Sequence, residues 1–233
     1  MRRQGGRTGS ARMRAGRPAA ALAAAAVALA GWPGGAAAEA LRFDRGWKEQ
    51  GFLRLWSNEY RAEGTRLEVV SDGTVSMFYA PLERRFQDAE RASWEWSVSR
   101  SVVPTPLHVK GADDRNLALY FVFLPPERAE ALSPRAARRL LRDGTARMVV
   151  YVWGGNHARG ARLISPYGAE GSLGLVVLRQ AGTGRFSEQV APRNDFERLF
   201  GRPAGRLVAL AVSADSDDTG GQVRGVIENL RLE

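Results

Sequence analysis

The chain lacks cysteine altogether and has only two histidines among its 233 residues. The first absence excludes disulfides, iron–sulfur clusters, cysteine nucleophiles and thiolate zinc sites, and the second leaves almost no material for a histidine-built metal centre. A phosphate-binding P-loop, a Rossmann glycine fingerprint and an H-E-x-x-H pair are all missing. Gly171-Ser172-Leu173-Gly174 does not have the spacing of a serine-hydrolase nucleophile elbow. Apolar runs long enough to cross a bilayer as a stable helix are also absent.

What is present begins with a segment of leader character. Residues 1–18 contain Arg2, Arg3, Arg7, Arg12, Arg14 and Arg17 and no acid, and an alanine-rich apolar run follows from Ala19 to Ala30. Gly31 to Gly35 break that run, and Ala36-Ala37-Ala38 forms an A-x-A processing site with a second option at Ala40. The expectation is a Sec-type signal peptide over residues 1–38, with export to the periplasm or beyond. Gln4-Gly5-Gly6 after the paired arginines argues against twin-arginine export, and the lack of cysteine excludes a lipoprotein anchor. Processing would remove six Arg and no acid, leaving 28 of the 34 basic residues against 25 acidic ones, or about +3. No basic stripe with interleaved aromatics then remains, so nucleic acid is excluded as a partner.

From about Leu41 onward the hydrophobic period is two. Trp94, Trp96 and Val98 alternate with Glu95, Ser97 and Ser99, the pattern of a half-buried antiparallel strand. Leu117–Phe123 and Met148–Trp153 are continuously apolar and read as central strands covered on both faces, as do 173–178 and 207–212. Further strands are expected near 52–56, 67–70, 75–79, 186–190 and 223–232. Two short helices are expected, one from the Ser133 cap and Pro134 to Arg142, the other from an Asn194–Glu197 capping pair to a stop at Gly201. About ten strands with two short helices predict an all-β domain over 39–233, an antiparallel two-sheet β-sandwich of jelly-roll or galactose-binding-like type.

Several residue groups carry candidate chemistry. Asp215-Ser216-Asp217-Asp218-Thr219 matches a D-x-D-x-T phosphatase nucleophile string, but only fourteen residues follow it, too few for the later motifs that chemistry needs. Extended by Gly220 it matches the front half of a calcium loop, with Asp215, Asp217 and Thr219 as ligands. Val226 stands where the bidentate Glu belongs, so Glu228 or Asn229 would have to substitute. Asp113 and Asp114 precede a central strand, where neighbouring side chains point to opposite sides; the alternative to a catalytic role is a salt bridge with Lys110 or Arg115. His157 follows Gly154-Gly155-Asn156 in a turn, and His108 lies in a proline-containing loop; either could serve as a general base. Of the five Trp beyond residue 38, Trp94 and Trp96 read as core, and Trp153, at a strand end beside Asn156 and His157, reads as a ligand contact.

The ordered series Lys110-x-x-Asp113-Asp114, Leu119–Phe123, Tyr151-Val152-Trp153, Asn194-Asp195-Phe196-x-x-Leu199-Phe200-Gly201, Asp215-x-Asp217-x-Thr219 and Glu228–Leu232 resembles the bacterial domain of unknown function 3047 family over about residues 41 to 233. That resemblance implies an exported bacterial protein without an assigned activity and supplies no catalytic residues. The closing strand also resembles the last strand of galactose-binding-like carbohydrate modules. Together these readings lead to an expected function: a non-catalytic glycan or cell-envelope binding module contacting its ligand through Lys110, Asp113, Asp114, Trp153, Asn156 and His157. The alternatives are an envelope hydrolase using Asp113 or Asp114 with His157, and a structural or partner-binding envelope protein. Calcium is the one cofactor the sequence admits.

Overall fold

Residues 38–52, 56–131, 144–169 and 171–233 are described in the computed structural model of this chain. They form strands β1 (Lys48–Gly51), β2 (Glu59–Glu63), β3 (Arg66–Asp72), β4 (Val75–Pro81), β5 (Ala92–Arg100), β6 (Arg115–Leu124), β7 (Arg147–Gly154), β8 (Arg162–Ile164), β9 (Leu173–Arg179), β10 (Gly184–Val190), β11 (Arg206–Asp215) and β12 (Gln222–Leu232). Helices α1 (Pro126–Glu130) and α2 (Pro192–Phe200) and a 3-10 turn at Arg84–Phe86 complete the set.

The strands pair into a seven-stranded sheet in the order β1-β4-β11-β6-β7-β9-β8 and a five-stranded sheet in the order β10-β5-β12-β3-β2. All pairings are antiparallel except β7 with β9, which run parallel because the chain leaves β7, crosses through β8 at the sheet edge and returns. The result is a β-sandwich of jelly-roll type.

Strand parity decides what each sheet buries. Trp94, Trp96 and Val98 of β5 face Leu117, Leu119, Phe121 and Phe123 of β6 and Val149, Tyr151 and Trp153 of β7 across the interior. The intervening residues Ala118, Tyr120 and Val122, with Met148, Val150 and Val152, point to the other side of the large sheet. There they pack with Leu107, Ala129, Ala146 and Leu163 from loops, α1 and β8. A strand covered on both faces has no reason to alternate, which is why β6 and β7 are unbroken apolar runs. β2 is a short, largely polar edge strand and β8 an edge strand of three residues, Arg162–Ile164, and neither carries such a signal.

α2 begins two residues before the expected cap. Ala191 takes the N-cap position without a side-chain bond, Pro192 occupies the first turn, and Asn194 lies inside the helix. Its stop is as expected, since Gly201 adopts the left-handed conformation at φ 66°. The expected helix at 133–142, most of the expected strand at 52–56 and the leader at 1–38, apart from Ala38, lie outside the described residues. No helix among the described residues is long and apolar enough to cross a membrane.

Candidate functional site

β6 and β11 are antiparallel neighbours in a register that sets Arg115 opposite Asp215. The start of β6 therefore meets the end of β11, and the loop carrying Asp113 and Asp114 lies against the turn carrying Asp217, Asp218 and Thr219. Asp114 is fully buried and clasps that turn. Its Oδ1 accepts from the backbone N–H of Asp218 at 3.1 Å, and its Oδ2 from the N–H of Thr219 at 2.9 Å and from the Thr219 hydroxyl. The Asp218 carboxylate accepts in return from the N–H of Asp113 at 3.2 Å. Asp114 and Thr219 thus cross-link two loops, as a side chain with this many backbone donors is suited to do.

Asp113 turns the other way, as adjacent residues of an extended segment must. One guanidinium nitrogen of Arg115 is shared between Asp113 at 2.9 Å and Asp215 at 3.1 Å, while the other donates to the Tyr120 hydroxyl at 3.0 Å. Burial pushes the Asp113 carboxyl upward, partly offset by Arg115 and a hydrogen bond from the Tyr167 hydroxyl. Burial likewise lifts Tyr167 to about 12, with Asp113 adding to the shift. The Tyr167 hydroxyl accepts from the N–H of Gly111 at 3.2 Å, and the Lys110 ammonium stands 5.4 Å from the centre of its ring. Lys110 therefore pairs with an aromatic face, and the salt bridge of Asp113 goes to Arg115.

The cluster is not electrostatically closed. Asp215 lies well above the usual carboxylate range because burial and the neighbouring Asp217 carboxylate outweigh an arginine that also serves Asp113. Its Oδ1, and Nε of Arg115, are buried without a hydrogen-bond partner among the described residues. Carboxylate oxygens of Asp114, Asp215 and Asp217 come within 4.8 Å of one another. As a calcium set this differs from the loop expected from sequence. Thr219 gives its hydroxyl proton to Asp114, and Asp114 takes its place beside the other two. Glu228 and Asn229 cannot substitute, because they bond Arg185 and Glu95 on the five-stranded sheet. Arg115 already brings positive charge to Asp215.

These groups form the polar end of a cleft of about 320 Å³ on the outer side of the large sheet, which is walled by Phe52, Val75, Met77, Met148, Leu173 and Leu175. Tyr167 and Phe52 are the part-exposed rings there, at 39% and 37%. Trp56 is 81% exposed, on the segment whose backbone carbonyl accepts from the N–H of Val75 in the cleft wall at 3.0 Å. The sequence marked Arg115 as a salt-bridge partner of Asp113, as found, but gave no site role to Tyr120, Tyr167, Phe52 or Trp56. Tyr167 lies in a segment with no periodic pattern, Phe52 and Trp56 bound an expected strand that carries no site signal, and the link from Arg115 to Asp215 becomes visible only once the register of β6 and β11 is known.

Trp153 is a correction. It is 1% exposed and packs between Trp96 and Phe186 at ring separations of 5.5 and 5.2 Å, so no ligand reaches it. The reason is parity: Trp153 is two residues beyond Tyr151 and shares its inward face. Asn156 and His157 lie in a separate loop cluster. Asn156 bonds Thr105 and Gln180 through its backbone, and His157 meets His108 with ring nitrogens 3.2 Å apart. Burial, then His108, pushes His157 below the usual histidine range. The ring of His157 meets His108, Asp113 pairs with Arg115 and Asp114 with Thr219, so the acid–imidazole pair expected of a hydrolase is not assembled from those residues.

Fold and site together define a β-sandwich protein with a ligand-sized amphipathic cleft on one sheet. The chain belongs to the family described as Protein of unknown function (DUF3047), which matches residues 45–231. No curated protein matches it. Among solved structures, it is similar to the xyloglucanase domain of the effector NopAA from Sinorhizobium fredii in complex with cellobiose. That match has 8% identity, 81% of this chain and 93% of that one covered, and a TM-score of 0.43. A thermostable cellulase derived from Cel12A of Rhodothermus marinus matches at 10% identity, covering 82% and 94%, with a TM-score of 0.46. The family 11 xylanase of Neocallimastix patriciarum matches at 10% identity, covering 80% and 100%, with a TM-score of 0.35.

Proposed function

We propose that this protein is an exported, non-catalytic binding module for a short glycan or another polyhydroxylated cell-envelope component, held in the Tyr167 cleft. The observation that carries the reading is the make-up of that cleft. Part-exposed Tyr167 and Phe52 rings and an apolar wall stand beside Asp215, Asp217 and Arg115. Saccharides present both kinds of surface: C–H faces that pack on aromatic rings, and hydroxyls that donate to carboxylates and accept from guanidinium. A volume of about 320 Å³ is at the small end for ligand pockets and suits one or two sugar rings. The exposed Trp56 is a further stacking surface for a longer chain.

One observation favours a second reading, a glycan hydrolase. Burial raises the Asp215 carboxyl well above the usual carboxylate range beside Asp217 in the same cleft, and a raised acid next to a second carboxyl is the arrangement that glycoside cleavage needs. A single experiment separates the two. The protein is applied to an array of short envelope oligosaccharides, and each bound species is then incubated with it and analysed by chromatography. The module reading expects saccharide recovered intact, with binding at least about tenfold weaker in Tyr167→Ala and Asp217→Ala at unchanged melting temperature. Cleavage abolished by Asp215→Asn would establish the hydrolase instead, and failure to bind any saccharide would overturn both.

A further inference from the structure

The chain's only two histidines, 49 positions apart, are brought into contact by two loops outside the cleft. Nδ1 of His108 and Nε2 of His157 stand 3.2 Å apart, with the rings at 88° to one another. We infer that this pair is a binding site for a late first-row transition-metal dication, Cu²⁺ or Zn²⁺, ligated by Nδ1 of His108 and Nε2 of His157.

Three observations carry the inference. The first is the separation. The two nitrogens are hydrogen-bonded at 3.2 Å, and a pair bonded at about 2.0–2.1 Å to one ion stands about 3.3 Å apart when the ion is tetrahedral Zn²⁺ and about 2.9 Å when it is tetragonal Cu²⁺, so an ion replaces the shared proton with a small change in separation. The second is which nitrogen each ring offers. Nδ1 of His157 is buried against the protein, so Nε2 is the atom with access to an ion, and it is the atom that faces His108. His108 is exposed and opens the site to solvent, leaving coordination positions for water or an external ligand.

The third is that the loops are held in place independently of the histidines. The N–H of Asn156 donates to the Thr105 carbonyl at 2.9 Å, the N–H of Ala181 donates to the Gly155 carbonyl at 3.0 Å, and the Thr105 hydroxyl donates to the Asp114 carbonyl at 2.6 Å. Leu107 packs so tightly on Gly155 that a Cβ there would lie 2.5 Å from its Cγ, and Gly155 has φ 71°. His108, directly after Leu107, and His157, two residues after Gly155, are therefore presented from a fixed backbone, which lowers the ordering cost of capturing an ion. Imidazole donors select copper, nickel and zinc over calcium and magnesium, and copper binds most strongly of these.

The test is isothermal titration of the tag-free full chain with Cu²⁺, Zn²⁺ and Ca²⁺, each alone. The expected result is one Cu²⁺ and one Zn²⁺ per chain, with affinity reduced at least about tenfold in His108→Ala, whose exposed side chain can be removed without unfolding the protein. His157→Gln, checked by thermal melting, should do the same, while Asp217→Asn should leave the titration unchanged. Absence of Cu²⁺ and Zn²⁺ binding would overturn the inference. So would binding unaffected by His108→Ala, or binding lost in Asp217→Asn, which would place the ion in the acidic cluster.

Discussion

The two faces of β6 and β7 carry almost the same sequence character and end in opposite structural states. The inner face is filled by large rings: Trp94 meets Trp96 edge-on at 5.4 Å, Phe121 meets Tyr151 edge-on at 5.4 Å, and Trp153 joins Trp96. Its one buried hydroxyl, on Tyr151, donates to Asp195 at 2.9 Å, and the one polar atom left over among the rings is the neutral indole N–H of Trp94. The outer face uses Ala118, Val122, Met148 and Val150, which fill less space, and its large ring, Tyr120, ends on Arg115. Beside it a cleft remains open, with a carboxylate oxygen and a guanidinium nitrogen unpartnered. Bulk and the absence of unpaired charge make a face structural, whereas small residues and incompletely paired charge leave room for a ligand.

That contrast can be broken most forcefully from the inside. Trp153→Ala should cost about 3–5 kcal/mol of stability by leaving a cavity among the rings, measured by urea denaturation. Had Trp153 been a ligand contact, the loss would have been small. Asp114→Ala, which strands two backbone N–H groups of the clasped turn, should cost about 2–4 kcal/mol in the same assay. A smaller, pH-dependent effect belongs to Asp215. A carboxyl raised on folding holds its proton more tightly in the native chain. The stability it contributes is complete below the unfolded value, near 3.8, and is lost as pH rises through the native value. Asp215→Asn should therefore flatten the fall in melting temperature above that pH, and an unchanged slope would contradict the assignment. At the exposed end, Tyr167→Ala and Trp56→Ala should change stability by less than about 0.5 kcal/mol while weakening saccharide binding.

The sandwich was legible because its evidence is local: period-two spacing in β5, unbroken apolar runs in β6 and β7, and turn glycines between strands. The site was legible only in part. The motifs around Asp113 and Asp215 did mark two loops that come together, but their partnership is a matter of register between β6 and β11, which lie about a hundred residues apart in sequence. Nothing local distinguishes Asp114, which locks a turn, from Asp215, which lines the cleft. Trp153 misled because a strand end beside glycines looks exposed, whereas parity along β7 turns it inward. Trp56, which does lie open, sits next to a weak strand pattern that gave it no prominence. The His108–His157 contact joins two turns and has no periodic signature at all.

Amide chemical-shift mapping with a saccharide that binds on the array decides whether ligands enter on the outer face of the large sheet. The largest shifts should fall at Tyr167, Gly168, Met148, Asp215 and Asp217, with β5 and β12 of the smaller sheet undisturbed. Shifts concentrated on the five-stranded sheet, or spread evenly over the molecule, would contradict it.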